Sequence, residues 1–179
     1  MKIIFKEYSV LNEKQSLEIL EIRNLDYIRK NMINDEVISL ENHLNWIKSL
    51  ENNLNKVYFA VIYDDKIVGS CSFVKEKDLS HTWGIYFKSD TNPIISSLSS
   101  YLFLEYLFFD LKIEEVYSLV KVENVLAYKF NLNFGFTTYL EDEIFYHLKL
   151  NKEQWENSKK NRFLISLKKY LDKIDYKFD

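Results

Sequence analysis

The sequence predicts a mixed α/β fold, a largely antiparallel central sheet flanked by helices, with one more helix at the C-terminal end. Three observations carry this reading. VYFAVIYDDKIVGSCSF holds two β-rich runs parted by Asp64, Asp65 and Lys66, a hairpin signal, and a third run, HTWGIYF, extends it to a meander. IISSLSSYLFLEYLFFDL, opened by Pro93, is apolar on nearly every side, as a helix between two layers must be. Segments of helical spacing also alternate with segments of strand character along the whole chain.

The remaining elements follow in order. Residues Lys2 to Ser9 alternate loosely as an opening strand. Asn12 is placed to cap a helix carrying Leu17, Leu20 and Ile22 that runs out near Arg23 and Asn24. Ser39 caps a second, amphipathic helix with Leu44, Ile47 and Leu50, and His43 and Trp46 share one of its faces. The charged turn KEKD precedes HTWGIYF. After the central helix comes the buried strand EVYSLVKV, then a short helix, VLAYKFNLNFG, opened by Asn124 and closed at Gly135 by a left-handed cap. FTTYL and EIFYHLKL are the last strands. From Glu156 a lysine-rich tail sets Phe163, Leu167, Tyr170, Leu171 and Ile174 on one helical face. The expected organisation is one domain over 1–150, with 151–179 as a helical extension docked on it or on a second subunit of a homodimer.

With 179 residues, one core is the expectation. Apolar residues at 47% and charged residues at 28% are the balance of a globular protein. A net charge of -3 gives no general attraction to nucleic acid, and no local basic patch offsets it. The single Cys71 and the three scattered histidines, His43, His81 and His147, lack metal-ligand spacing, so no metal is expected. MKIIFKEYSV lacks the core of a signal peptide and no apolar run is long enough for a bilayer, so no membrane partner and a cytoplasmic location are expected.

The element order, with Asn124, Ala127, Phe130 and Gly135-Phe136 in NVLAYKFNLNFGF, is similar to the GNAT superfamily of N-acetyltransferases. EIRN at Glu21 to Asn24, Met32, ISLENHLNWIKSL, YFAVIYDDKIVGSCSF and GIY at Gly84 to Tyr86 narrow this. Together they resemble the nucleotide-sugar N-acetyltransferases of pseudaminic acid biosynthesis. The resemblance implies a GNAT-type sheet, acetyl-CoA as co-substrate and donor, and a UDP-linked 4-amino-4,6-dideoxy sugar as acceptor in a surface-glycan or flagellin route.

It also implies site residues. Arg23, Met32, His43, Trp46 and Tyr86 match the nucleotide-sugar pocket. Arg23 has the chemistry to stack on a pyrimidine or pair with a diphosphate, Trp46 and Tyr86 offer aromatic walls, and His43 can donate to phosphate or a sugar hydroxyl. The bland readings stand beside these: Trp46 as core anchor, His43 as a solvated helix residue, Arg23 as a helix cap. Asn124, Ala127 and Phe130 match the helix beside the pantetheine arm, with Tyr86 offering a main-chain N–H near the thioester carbonyl. Ser96, Ser97 and Ser99 stand where a Gly-rich turn usually grips the pyrophosphate. Ser72 and His81 are the candidate groups near the acceptor amine, and Asn131 occupies the position of a general-acid tyrosine. Asparagine cannot act as an acid, although its amide can hydrogen-bond the sulfur. Direct attack by a neutral amine is the chemistry these groups leave. Two other readings remain: a non-catalytic GNAT relative that binds a ligand or partner, and a protein N-acetyltransferase with an open acidic groove.

Overall fold

The computed structural model describes residues 2–51, 53, 55–76 and 81–179. Part of the expected KEKD turn therefore lies outside the described residues. From the N-terminus the chain forms β1 (Lys2–Glu7), a 3-10 turn (Tyr8–Val10), α1 (Glu13–Asn24), α2 (Asp26–Arg29) and α3 (Leu40–Lys48). The meander β2 (Lys56–Tyr63), β3 (Lys66–Lys75) and β4 (His81–Phe87) leads into α4 (Pro93–Glu105), prolonged by a π turn at Tyr106–Asp110. β5 (Glu115–Lys121), α5 (Val125–Asn133), β6 (Thr137–Glu141) and β7 (Phe145–Asn151) follow, and the tail forms α6 (Lys152–Ser158), α7 (Arg162–Leu171) and β8 (Asp175–Phe178).

Side chains of one kind start the helices. Asn12, Ser39, Asn92, Asn124, Asn151 and Asn161 each accept a main-chain N–H from the first turn of α1, α3, α4, α5, α6 and α7. These bonds satisfy donors that have no partner inside the helix. Asp64 and Asp65, with φ of 48° and 62°, form the tight turn between β2 and β3. This is the mirror-image geometry that matches strand twist.

The strands lie in one sheet, in the order β6-β7-β5-β4-β3-β2-β1-β8. β4–β5 and β1–β8 pair in parallel and the other neighbours antiparallel. One sheet face, with Phe5, Phe59, Cys71, Phe73, Trp83 and Val120, packs on the largely buried α4 and on Trp155, Leu164 and Leu167 of the tail. The other, with Ala60, Ile62 and Ile67, packs on Ile19, Ile22, Ile28 and Ile47 of α1 to α3. Strand alternation sorts residues to these two faces, and each face carries a buried cluster of its own.

The tail is richer than its periodicity implies. Leu164 and Leu167 are buried in α7, but Ile174 is buried beyond the helix, and β8 adds to β1 in parallel. Phe178 stacks between Phe5 and Tyr106, with ring centroids 4.3 and 4.1 Å away. Trp155 is fully buried, donates Nε1 to Glu105 at 2.6 Å and meets Tyr101 and Phe134. Replacing Trp155 with Ala is expected to lower the unfolding free energy by about 3–5 kcal/mol in chemical denaturation. A loss below about 1 kcal/mol would show that the tail is not part of the core.

Candidate functional site

The site begins with a missing ladder. β4 and β5 run side by side in parallel but form a single residue pair, Thr82↔Tyr117. Beyond it, toward Phe87 and Lys121, the two strands have no ladder pairs with each other. Leu119 in the middle of β5 is accordingly 37% exposed. The slot lies where both chains turn into helices: α4 starts after β4 and α5 after β5. Two helix N-termini therefore face its mouth, and their main-chain dipoles favour negative charge there.

On the α1–α3 side, strand register builds a small polar-aromatic hollow. Tyr58, Ser72 and Gly84 form one rung across β2, β3 and β4, and Ala60, Ser70 and Tyr86 the next. Ser72 Oγ donates to the Gly84 carbonyl at 3.3 Å, and a Cβ at position 84 would meet that oxygen at 2.8 Å. Glycine at 84 thus keeps the space over Ser72 open. Trp46 stands edge-on to Tyr58 at 4.8 Å and to Tyr8 at 5.8 Å, and Met32 packs into the same cluster. Below, the Tyr8 hydroxyl donates to Ser70 Oγ at 2.8 Å and lies 3.0 Å from the Tyr86 hydroxyl. Burial pushes both phenols upward, so they stay neutral and act as hydrogen-bonding groups.

Arg23 borders this hollow. Its Nη2 donates to the Asn34 carbonyl at 2.8 Å, while its Nη1 is buried without a partner. Desolvation lowers its pKa, and the Tyr86 and Tyr8 hydroxyls oppose that shift. The adjoining loop is held from below by side chains of α1 and α2. Asn24 bonds both the N–H and the carbonyl of Ile38, and Arg29 reaches the Asp35 carbonyl. Tyr27 accepts the N–H of Ser89 at 2.9 Å, and Lys121 Nζ donates to the Lys30 carbonyl at 2.7 Å. α2 and its loop thereby bridge both walls of the slot.

The structure thus brings Arg23, Met32, Trp46, Tyr86 and Ser72 to one face. His43 lies deeper than either sequence reading placed it. It is 2% exposed, and its Nε2 lies 3.1 Å from the buried Ser16 carbonyl, leaving Nδ1 as an acceptor beneath Trp46. In that place it supports the Trp46 wall and is neither solvated nor open to a phosphate. His81 is on the opposite sheet face from Ser72, stacked on Phe73 at 5.2 Å, and the two are not brought together.

The α4 serines also differ from the expectation. Ser99 and Ser100 are fully buried, with hydroxyls bonded back to the Ile95 and Ser96 carbonyls, and Ser97 is 7% exposed. Inside a helix the carbonyl four residues back is the nearest acceptor for a serine. Only Ser96 remains near the surface, its hydroxyl on the Pro93 carbonyl. Asn131 is buried, accepting from Trp83 Nε1 at 3.2 Å and donating to the Ala127 carbonyl at 2.8 Å. Its amide ties α5 to β4. Ala127 and Phe130 pack against the core beside it, and Asn124 caps α5 at the slot. Tyr8, Tyr58 and Ser70 were not among the sequence candidates. Alternation from Ser72 and Tyr86 is the signal that points to Ser70, and Tyr58 follows only from the strand register.

A splayed pair of parallel strands between two helix N-termini is the frame of one group of acyltransferases, and the comparison with known proteins agrees. The family model described as "Acetyltransferase (GNAT) domain" matches residues 9–155. The chain belongs to the GNAT acetyltransferase family. Among its GNAT relatives, Acetyltransferase PseH of Campylobacter jejuni (strain 81-176) is 31% identical over 150 residues, which cover 84% of this chain and 94% of that protein. A crystal structure of the Campylobacter jejuni N-acetyltransferase PseH in complex with acetyl coenzyme A superposes with a TM-score of 0.68 at 28% identity, covering 84% of this chain and 99% of that one. FdhC, described as a nucleotide-linked sugar GNAT, shares the fold with a TM-score of 0.69 at 21% identity, over 83% of this chain and 88% of its own. No helix among the described residues is long and apolar enough to cross a membrane.

Burial holds the His43 pKa below its ordinary value of 6.5. Between that value and the lower folded one, the unfolded chain binds a proton that the folded chain refuses, so stability falls as pH drops through this window. His81, lowered by burial and by Lys75, adds with the same sign. Unfolding measured at about pH 7 and about pH 5 is expected to show a smaller loss in His43→Gln than in the parent. An equal loss in both would show that His43 is not held neutral.

Proposed function

We propose that this chain transfers an acetyl group from acetyl-CoA to the amine of a nucleotide-linked amino-dideoxy sugar. The observation that carries the reading is the hollow over Ser72, walled by Trp46, Tyr58 and Tyr86 and bordered by Arg23, on the face beside the β4–β5 slot. A base ring suits aromatic walls, and a diphosphate suits a guanidinium whose Nη1 lacks a protein partner. An acetyltransferase needs two substrates to meet at one point. The slot and the hollow share β4, and Gly84 and Tyr86 lie between them.

The slot fits a thioester arm. The facing edges of β4 and β5 beyond their one pair offer main-chain donors and acceptors, and Asn124 stands at the start of α5 beside them. The α4 end fits a diphosphate less freely. Asn92 and Pro93 are exposed, but Pro93 has no N–H, Ile94 N–H is held by Asn92 Oδ1 at 2.9 Å, and Ile95 N–H by the Asn92 carbonyl at 2.8 Å. A diphosphate there takes the Ile94 donor from Asn92 and uses the helix dipole and Ser96.

When bound, acetyl-CoA supplies an activated carbonyl. Ser72 Oγ accepts an N–H of the neutral acceptor amine and points its lone pair into the slot. By the β3–β4 register the Tyr86 N–H is bonded to β3, and the main-chain N–H groups of Ile85 and Phe87, directed away from β3, are the ones offered to the carbonyl oxygen as charge grows there. The C–N bond forms as the C–S bond breaks, and the proton shed by nitrogen leaves with the thiol through solvent at the slot. The Tyr8, Ser70 and Tyr86 hydroxyls keep the wall fixed, so positioning supplies much of the rate, up to about 7–11 kcal/mol in favourable intramolecular cases.

Two substitutions separate the halves. Asn92→Asp keeps the α4 cap but sets a carboxylate against the diphosphate, and is expected to weaken acetyl-CoA binding about tenfold or more by calorimetry. Unchanged binding would place the diphosphate elsewhere. Trp46→Ala is expected to raise the KM for the nucleotide sugar about tenfold with the donor KM unchanged, as befits one lost stacking partner. Equal change in both would make Trp46 a packing residue only. If the parent chain binds a nucleotide sugar but no acetyl-CoA, a ligand-binding relative is what remains.

A further inference from the structure

We propose that the C-terminal segment tunes the acyl-transfer site through α5, with Asn161 and Ser158 as positioning residues that fix the far end of that helix. The proposal rests on the reading of α5 as one wall of the thioester slot. The family match ends at residue 155, so both residues lie outside the shared frame.

α5 is loosely held for a helix that borders a reaction site. Of its nine residues only Asn131 is buried, and Leu126 is 83% exposed. On the sheet side its polar ties are the Asn131 bond to Trp83 near its end and, one turn earlier, the Tyr128 hydroxyl at 3.1 Å from Thr138 Oγ1. Its C-terminal end leaves carbonyls without helical partners, as every helix does. Two of these are met from the tail: Asn161 Nδ2 donates to the Asn133 carbonyl at 3.0 Å, and the Ser158 hydroxyl is shared between the Phe134 carbonyl at 3.2 Å and the Trp155 carbonyl of its own helix at 2.8 Å.

The fit at this junction is tight. Gly135 ends the helix with φ of +94°, and a Cβ there would lie 2.5 Å from Ser158 Cβ. Glycine therefore serves both the left-handed turn and the seat of Ser158. Phe134 is packed between Phe130 at 4.9 Å and Phe163 of α7 at 5.5 Å. The same Asn161 side chain that reaches α5 also accepts the Leu164 N–H at 2.8 Å, capping α7. One amide thus joins the start of α7, anchored in the core by Leu164 and Leu167, to the end of α5. Motion of α5 about its Asn131 tie is checked at the tail end and transmitted to Ala127 and Asn124 at the slot.

Asn161→Asp tests this. The carboxylate still caps α7 but cannot donate to Asn133, and Ser158→Ala removes the second link without touching that cap. Hydrogen exchange of the ligand-free full chain is expected to quicken about three- to tenfold at α5 amides in either variant, the range one neutral hydrogen bond is worth, with α1 to α3 unchanged. The KM for acetyl-CoA should rise by a similar factor, with kcat and the acceptor KM within about twofold. Exchange at α5 equal to the parent's in both variants overturns the proposal, as does uniform quickening across all elements, which marks general destabilisation. Faster α5 exchange in a chain that shows no acetyl transfer leaves the clamp standing and removes the functional reading instead.

Discussion

Everything functional in this molecule depends on two neighbouring strands that do not zip. A parallel pair ordinarily continues its ladder, and leaving main-chain donors and acceptors unpaired inside a fold is costly unless something else bonds them. Here β4 and β5 stop after Thr82↔Tyr117. β3 and β7 hold them on their outer sides, so the gap between them persists. The gap is a ready partner for an extended, amide-bearing chain such as a pantetheine arm. The two helices that begin at its edge then give the charged end of such a ligand a favourable field.

The hollow over Ser72 follows from one irregularity in the neighbouring strands. From the Asp64-Asp65 turn, Tyr63 pairs with Lys66 and Ile62 with Ile67, but Val61 pairs with Gly69, so Val68 is an extra residue. This bulge carries Ser70 and Ser72 onto the rungs of Ala60 and Tyr58. Without it the register would slip by one and the two serines would sit opposite residues of the other face. Tyr8, at the end of β1, then closes the floor by bonding to Ser70 and Tyr86, and Trp46 roofs Tyr58 from α3. The hollow is thus built from β2, β3, β4, α3 and the turn after β1, each held by contacts of its own.

Much of this was legible in the sequence, and the misses have physical reasons. The starts of α1, α3 and α5 were readable because the Asn12, Ser39 and Asn124 caps announce themselves locally, and the meander because its turn is short and acidic, whereas the Asn151 and Asn161 caps were passed over and the tail was read as one helix. β8 was not readable: four residues pairing in parallel with the first strand leave no local turn signal. The bulge was invisible for the same reason, which is why Tyr58 was overlooked. His43 could have been placed, since it lies four residues before the buried Ile47 on one stripe of α3. The α4 serines were expected as phosphate donors from their place where the family has a Gly-rich turn, yet a buried helix turns such hydroxyls on its own backbone.

The most direct test of the account is hydrogen exchange at the facing edges of β4 and β5, resolved by NMR in the free chain and with acetyl-CoA. Among residues 84–87 and 119–121, the amides not bonded to β3 or β7 should exchange freely alone and become protected with the thioester. Slow exchange in the free chain, unchanged by acetyl-CoA, would mean that the strands close on each other and that no slot exists.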